Sequence, residues 1–285
     1  MCINKDEIST PSAGNTPTVR STDQEKVRKI FRWYINQSDV KIYTTGLVEH
    51  PAWEEEFWEA PLSEILKQPY GTWPVKQEIK NKIKKFIDSH PLEDTMRHLT
   101  LGCIFGALSE AKEYLSTDDF SRMFRLALDR INFCYNPYII SKAKLLELFK
   151  CCNLQKFMTA EEWKSWEELQ RQPSETETVY RGYVEAENAV VWTNNRRAVT
   201  GDSDRFGETY DSVGYKAEIH KKDIIAVIHG RCETSLIFHY KMYVLDPDKL
   251  QNIEPVYLNE LCNWDYPDVD DWDYPDVDDW DEWAE

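Results

Sequence analysis

Three side chains define the chemistry this sequence could support: Arg181, Thr193 and Glu233, each on or beside a short apolar run. They stand in Thr178-Val179-Tyr180-Arg181-Gly182, in Trp192-Thr193 and in Arg231-Cys232-Glu233-Thr234-Ser235-Leu236-Ile237. A guanidinium holds phosphate through a planar fork of donors. A hydroxyl on a neighbouring strand can order the floor of a pocket. A carboxylate can grip ribose hydroxyls and stabilise the positive charge that grows on a sugar as its glycosidic bond breaks. Each residue also has a plainer reading. Arg181 can be a solvated strand-end charge, Trp192 a core indole, Thr193 a strand-end hydroxyl, and Arg231 and Glu233 strand-face charges.

The elements that must position them fall into two regimes. From about 23 to 157 the pattern is helical. Val75, Ile79, Ile83, Phe86 and Ile87 form one apolar stripe after Pro74, which suits a first helical turn. A second helix is predicted from Pro91 through Leu115, with Met96, Leu99, Cys103 and Leu108 inward. A third follows the cap Ser116-Thr117-Asp118-Asp119 and carries Phe120, Met123, Phe124, Ala127, Leu128 and Ile131. A fourth lies around Leu145 to Phe149, and Glu25–Ile35 and Pro51–Leu66 read as helices too. Thr159-Ala160-Glu161-Glu162 is a capping box opening a short helix with Trp163, Trp166 and Leu169. After a break at Pro173–Glu177 the period changes to that of strands: Thr178–Tyr183, Ala189–Thr193, Val213–Ile219, Ile224–His229 and Ser235–Val244.

Composition narrows the partners. The formal net charge is −17, and Trp264–Glu285 alone holds eleven acids with no Lys or Arg. Nucleic acid is therefore a poor partner for the surface as a whole. No apolar stretch is long enough to span a bilayer, and no secretory signal precedes the seven cysteines, so the reading is a cytoplasmic chain with reduced thiols. His229, Cys232 and His239 match no zinc spacing, and no Gly-rich phosphate loop occurs, so no metal site is assigned. Residues 1–22 read as a flexible leader. The tail, 263–285, repeats Trp-Asp-Tyr-Pro-Asp-Val-Asp-Asp and reads as extended and mostly disordered, either a solubilising end or an acidic-aromatic docking strip.

Taken together, Tyr180-Arg181-Gly182, Trp192-Thr193, Ala198, Arg205-Phe206, Tyr215-Lys216-Ala217-Glu218-Ile219 and Lys221-Lys222-Asp223-Ile224-Ile225-Ala226 resemble the ADP-ribosyltransferase-like proteins of bacteria and their phages. The lead-in Met158-Thr159-Ala160-Glu161-Glu162-Trp163 is similar to theirs as well. The resemblance covers about 158–250. It implies a split β-sandwich, NAD as substrate, and an Arg, Ser-or-Thr, Glu triad. Carried over, Arg181 and Glu233 are the catalytic candidates, and Arg181, Gly182, Trp192 and Thr193 the NAD-binding ones. Glu233 matches the first Glu of an E-x-E signature, and Ser235 stands where the second is expected. Three arrangements stay open: Glu233 serves alone, the pocket binds NAD or ADP-ribose without turnover, or the register is displaced by two.

The expected protein is α+β: a helical domain (23–157), an ADP-ribosyltransferase-like domain (158–262) and the acidic tail. The expected activity is transfer of ADP-ribose from NAD to a protein acceptor, in the manner of a phage-encoded modifier of host systems. The alternative is a degenerate binding protein that inhibits by occupying a partner, with the tail as docking strip.

Overall fold

The computed structural model describes residues 21–131, 139–182, 188–195, 213–231 and 239–257. Helix α1 (Gln24–Gln37) starts where the Asp23 side chain accepts the Lys26 amide. It buries Val27, Phe31 and Ile35, four residues apart on one face. Next come strands β1 (Lys41–Ile42), β2 (Leu47–His50) and β3 (Trp53–Trp58), a three-stranded antiparallel sheet.

This sheet corrects the helix predicted over Pro51–Leu66, of which only α2 (Leu62–Ile65) is helical. Trp53, Phe57 and Trp58 are aromatic residues that suit a pleated surface. Their backbone is paired with β2, Leu47 to Trp58 and Val48 to Phe57, and Glu54, Glu55 and Glu56 are left exposed. The turn into β2 needs Gly46, whose φ is +97°. A Cβ there would stand 2.6 Å from the Glu59 carbonyl oxygen.

Helix α3 (Trp73–Ser89) buries Val75, Ile79, Ile83 and Ile87, as the stripe requires. The single helix predicted from Pro91 to Leu115 is two, α4 (Leu92–His98) and α5 (Leu101–Ala111). The break has a tertiary cause. Leu99 bridges Trp53, the Thr100 amide donates to the Ala52 carbonyl, and the Thr100 hydroxyl donates to the Pro51 carbonyl. Of the four inward positions, Met96, Leu99 and Leu108 are buried and Cys103 half-buried. Helices α6 (Thr117–Arg130), α7 (Lys142–Lys150), α8 (Leu154–Phe157) and α9 (Ala160–Gln170) complete the helical part. Ser116 caps α6, and the Thr159–Glu162 capping box opens α9.

Strands β4 (Thr176–Gly182), β5 (Val191–Thr193), β6 (Val213–His220), β7 (Ile224–Arg231), β8 (His239–Leu245) and β9 (Gln251–Tyr257) form one antiparallel sheet, ordered β7-β8-β5-β4-β6-β9. The fold is thus mixed α+β, with a helical N-terminal region and antiparallel sheets. β9 went unpredicted because Pro255 and exposed polar residues mask it, as suits an edge strand.

The two faces of the larger sheet meet different cores. Val191, Ile228 and Val244 join the core that begins at Phe31 and runs through Ile83, Leu108 and Phe124. Val179, Trp192, Ala217, Val227 and Tyr243 lie in a second, smaller core with Leu169 of α9. Phe157 and Met158, on either side of the boundary marked in the sequence, are both in the larger core. The edge strand β7 is covered rather than open. Its Val227 amide meets Met158 Sδ at 3.4 Å, its His229 amide donates to Glu162 Oε1 at 2.9 Å, and Trp166 Nε1 donates to the Ile224 carbonyl at 3.2 Å. That satisfies groups that would otherwise invite another strand.

Candidate functional site

The register of the central strands decides which side chains can meet. Tyr180 of β4 pairs with Thr193 of β5, and Thr193 pairs with Met242 of β8. On the other side of β4, Tyr180 pairs with Lys216 and Arg181 with Tyr215. Paired residues point to the same face, and successive residues along a strand alternate. Thr193 therefore shares its face with Val191 and Met242, toward the helical core. Arg181 shares the other face with Val179, Tyr215 and Trp192. The burial pattern agrees, since Val191 lies in the larger core while Val179 and Trp192 lie in the smaller.

Arg181 and Thr193 are thus on neighbouring strands and on opposite faces. Thr193 is buried, and both roles of its hydroxyl are taken. Oγ1 donates to the Lys241 carbonyl at 2.9 Å and accepts from the Asn195 amide at 3.0 Å. It ties β5 to β8 and holds the Asn195 amide two residues on. Trp192 is buried, and its Nε1 donates to the Ala189 carbonyl at 2.8 Å. That indole lies on the same face of the sheet as Arg181, in the smaller core. Arg181 is half-buried. Gly182 pairs with Gly214, so the rung beside Arg181 carries no side chain, a feature that permits close approach to backbone.

Glu233 lies outside the described residues, as do Cys232, Thr234 and Ser235 and the tail from 263 onward. The strands on either side of positions 232–238 are described, however. β7 ends at Arg231, which pairs with His239 at the start of β8, so Glu233 belongs to the connection between two paired strands. β8 in turn pairs with β5, and β5 with β4. Three consecutive strands hence carry or follow the three elements that stand far apart in sequence.

One further polar contact involves the Arg181 face. Tyr243, whose ring is buried there, donates its hydroxyl to Glu177 Oε1 at 3.0 Å. Burial, reinforced by the Glu177 charge, raises the Tyr243 hydroxyl well above its ordinary range and keeps it a protonated donor.

The polar centre that sequence reading missed is Glu162. Its carboxylate is 2% exposed. Oε2 takes Arg125 Nη1 at 2.7 Å and the Thr159 amide at 2.8 Å, and Oε1 takes Arg125 Nη2 at 3.0 Å and the His229 amide at 2.9 Å. Burial pushes this carboxyl up, but the bonds from Arg125 and the two amides outweigh it, and the net displacement is downward. The capping box announced the Thr159 contact, while Arg125 and His229 are 37 and 67 residues away in sequence. His229 also sits with Nε2 3.2 Å from Ser165 Oγ, which links α9 to β7 a second time.

Other chemistry in the described residues is spare. No group of three His, Cys, Asp or Glu side chains converges among them in a way that could hold a metal ion. Cys152 donates its thiol to the Leu148 carbonyl, and burial pushes that thiol up to about 12. An open groove beside β2 and β3 is lined by Lys41, Glu49, His50, Trp53, Glu54–Glu56 and Thr100. His50 itself is used structurally. Its Nδ1 accepts the Ala52 amide at 3.2 Å, which makes Nε2, 3.0 Å from the Ile35 carbonyl, the donor. No helix among the described residues is long and apolar enough to cross a membrane. No protein-family model, curated protein or solved structure matches this chain.

Proposed function

We propose that the chain is an ADP-ribosyltransferase that moves ADP-ribose from NAD to a protein acceptor, as its sequence resemblance implies. The observation that carries this reading is the adjacency of β4, β5 and β8. They bring the Arg181 strand, the Thr193 strand and the strand after Glu233 together in the middle of one sheet. Arg181 would pair with the pyrophosphate of NAD through its guanidinium. The Gly182–Gly214 rung would let the dinucleotide approach the backbone. Trp192 would pack on the same face as Arg181, and Thr193 would hold β5 against β8. In the reaction the bond between ribose C1′ and the nicotinamide nitrogen breaks. Nicotinamide leaves with the bonding pair, and a nucleophile of the acceptor attacks C1′ and gives up its proton. Glu233 would stabilise the oxocarbenium between these events.

A second reading rests on a specific observation. Thr193 faces the core with its hydroxyl fully engaged, and Ser235 replaces the second Glu of the signature. Those features fit a protein that binds NAD or a partner without turnover. One experiment separates the two. The full chain is incubated with labelled NAD and a bacterial lysate, and labelled protein and free nicotinamide are measured. Transfer predicts both products, lost in Arg181→Ala and reduced about 10²–10³-fold in Glu233→Ala. Absence of both products, with NAD binding that Arg181→Ala abolishes, establishes the binding reading. Products that persist unchanged in Arg181→Ala refute the site.

A further inference from the structure

Helices α1 and α3 concentrate positive charge in an acidic chain. Between them they hold nine of its 34 Lys and Arg residues and three of its 51 Asp and Glu residues. They pack side by side and antiparallel. Lys76 Nζ reaches Asp39 at 2.8 Å, Lys80 Nζ donates to the Asn36 carbonyl at 3.2 Å, and Arg28 Nη2 donates to the His90 carbonyl at 3.0 Å. The cations along this seam are engaged by the fold. Lys29 of α1 and Lys85 of α3 are exposed and Lys84 is half-buried, and none forms an ion pair with another described residue. The same helices expose two indoles, Trp33 at 49% and Trp73 at 61%, and the turn before α3 exposes Tyr70 at 86%. Trp33 stands one helical turn after Lys29 on α1, and large aromatic side chains left in water near uncompensated lysines suit an interaction surface rather than a solvated one.

The chain carries its own complement. Residues 264–285 hold eleven acids, four Trp, two Tyr and no Lys or Arg. Charge and aromaticity both match the α1–α3 face. Reach is not a constraint: 22 residues span roughly 70 Å when extended, against a radius of gyration of roughly 19 Å for a compact chain of this length. Covalent attachment adds a high effective concentration. We propose that residues 264–285 dock within the same molecule on the α1–α3 face, with carboxylates on Lys29, Lys84 and Lys85 and indoles against Trp33 and Trp73. The net charge of −17 and the internal pairing of Lys76 and Arg32 favour this occupant over nucleic acid. The proposal does not depend on NAD chemistry.

The test is zero-length carbodiimide crosslinking of the full chain at about 1 μM, an equal mixture of unlabelled and 15N-labelled protein, read by mass spectrometry. Docking within one molecule predicts isotopically pure crosslinks from tail carboxylates to Lys29, Lys84 and Lys85. They should fall about tenfold in 1 M salt, where the Debye length is about 3 Å. A Trp33→Ser, Trp73→Ser variant keeps every lysine and should lose a large share of the same crosslinks. A Lys29→Gln, Lys84→Gln, Lys85→Gln variant, checked for native circular dichroism and Tm, should not redirect them to other lysines. Crosslinks spread evenly over the surface lysines, or none, overturn the proposal. Mixed-isotope crosslinks making up about half of the total, the statistical share for an equal mixture, assign the tail to a second copy and overturn it as well.

Discussion

Glu162→Gln probes the joint between the helices and the sheet. The substitution removes the charge that Arg125 faces in a site where the carboxylate is 2% and the guanidinium 17% exposed. Breaking a buried pair by removing one partner costs about 3–5 kcal/mol, because the remaining charge stays buried. Arg125 keeps Asp129 at 2.9 Å and the Phe157 ring at 5.6 Å, so the lower end, about 3 kcal/mol, applies. The amide of Gln can still accept one of the two backbone N–H groups, but it turns its own NH₂ toward Arg125 or toward an amide. In a chain of this size that loss lowers Tm by roughly 6–12 °C. Calorimetry or urea titration at pH 7 measures it. The pH dependence supplies a second check. The folded Glu162 carboxyl lies below its ordinary range, so the stability it contributes is complete above about pH 4.3 and is lost as pH falls through the folded value. Glu162→Gln should flatten the stability profile below that pH. Arg125→Met with Glu162→Gln, which removes both charges and keeps an acceptor for one of the backbone amides, should recover part of the loss. A cost under about 1 kcal/mol for Glu162→Gln, with an unchanged acid limb, would refute the reasoning that this pair holds the joint.

Other outcomes follow from single sites. Burial lowers the His50 pKa, with the Ile35 carbonyl opposing in part, so the neutral ring contributes stability above about pH 6.5 that is lost as pH falls below it. His50→Gln should remove a slope of at most about 1.4 kcal/mol per pH unit between pH 7 and 5, read by urea titration. Cys151 is exposed and Cys152 is held at about 12, so iodoacetamide at pH 8 should alkylate Cys151 well before Cys152, as peptide mass mapping will show. Gly46→Ala places a Cβ 2.6 Å from the Glu59 carbonyl at a φ of +97° and should cost at least about 2 kcal/mol, measured by thermal denaturation.

Local signals made much of this fold legible. The stripe Val75, Ile79, Ile83, Ile87 specifies α3 because apolar residues at that spacing share one helix face. Ser116 and Thr159–Glu162 mark helix starts because their side chains satisfy amides within three residues. Five of the six strands of the larger sheet were foreseen from alternation and β-branched content. Where a partner distant in sequence decided the backbone, local reading failed. Pro51–Leu66 reads as a helix until β2 offers Trp53–Trp58 a ladder, and Leu99-Thr100 reads as mid-helix until Trp53 and Ala52 claim it.

The candidate site divides along the same line. The sequence by itself determined the residue types and their order, Arg181, then Thr193, then Glu233 and Ser235, and the strands that bear Arg181 and Thr193. Only tertiary structure decided that β4, β5 and β8 are neighbours, because strand order depends on pairings across dozens of residues. It also decided that Tyr180, and not Arg181, pairs with Thr193. With a side-chain period of two, that single step of register separates the guanidinium and the hydroxyl onto opposite faces of the sheet.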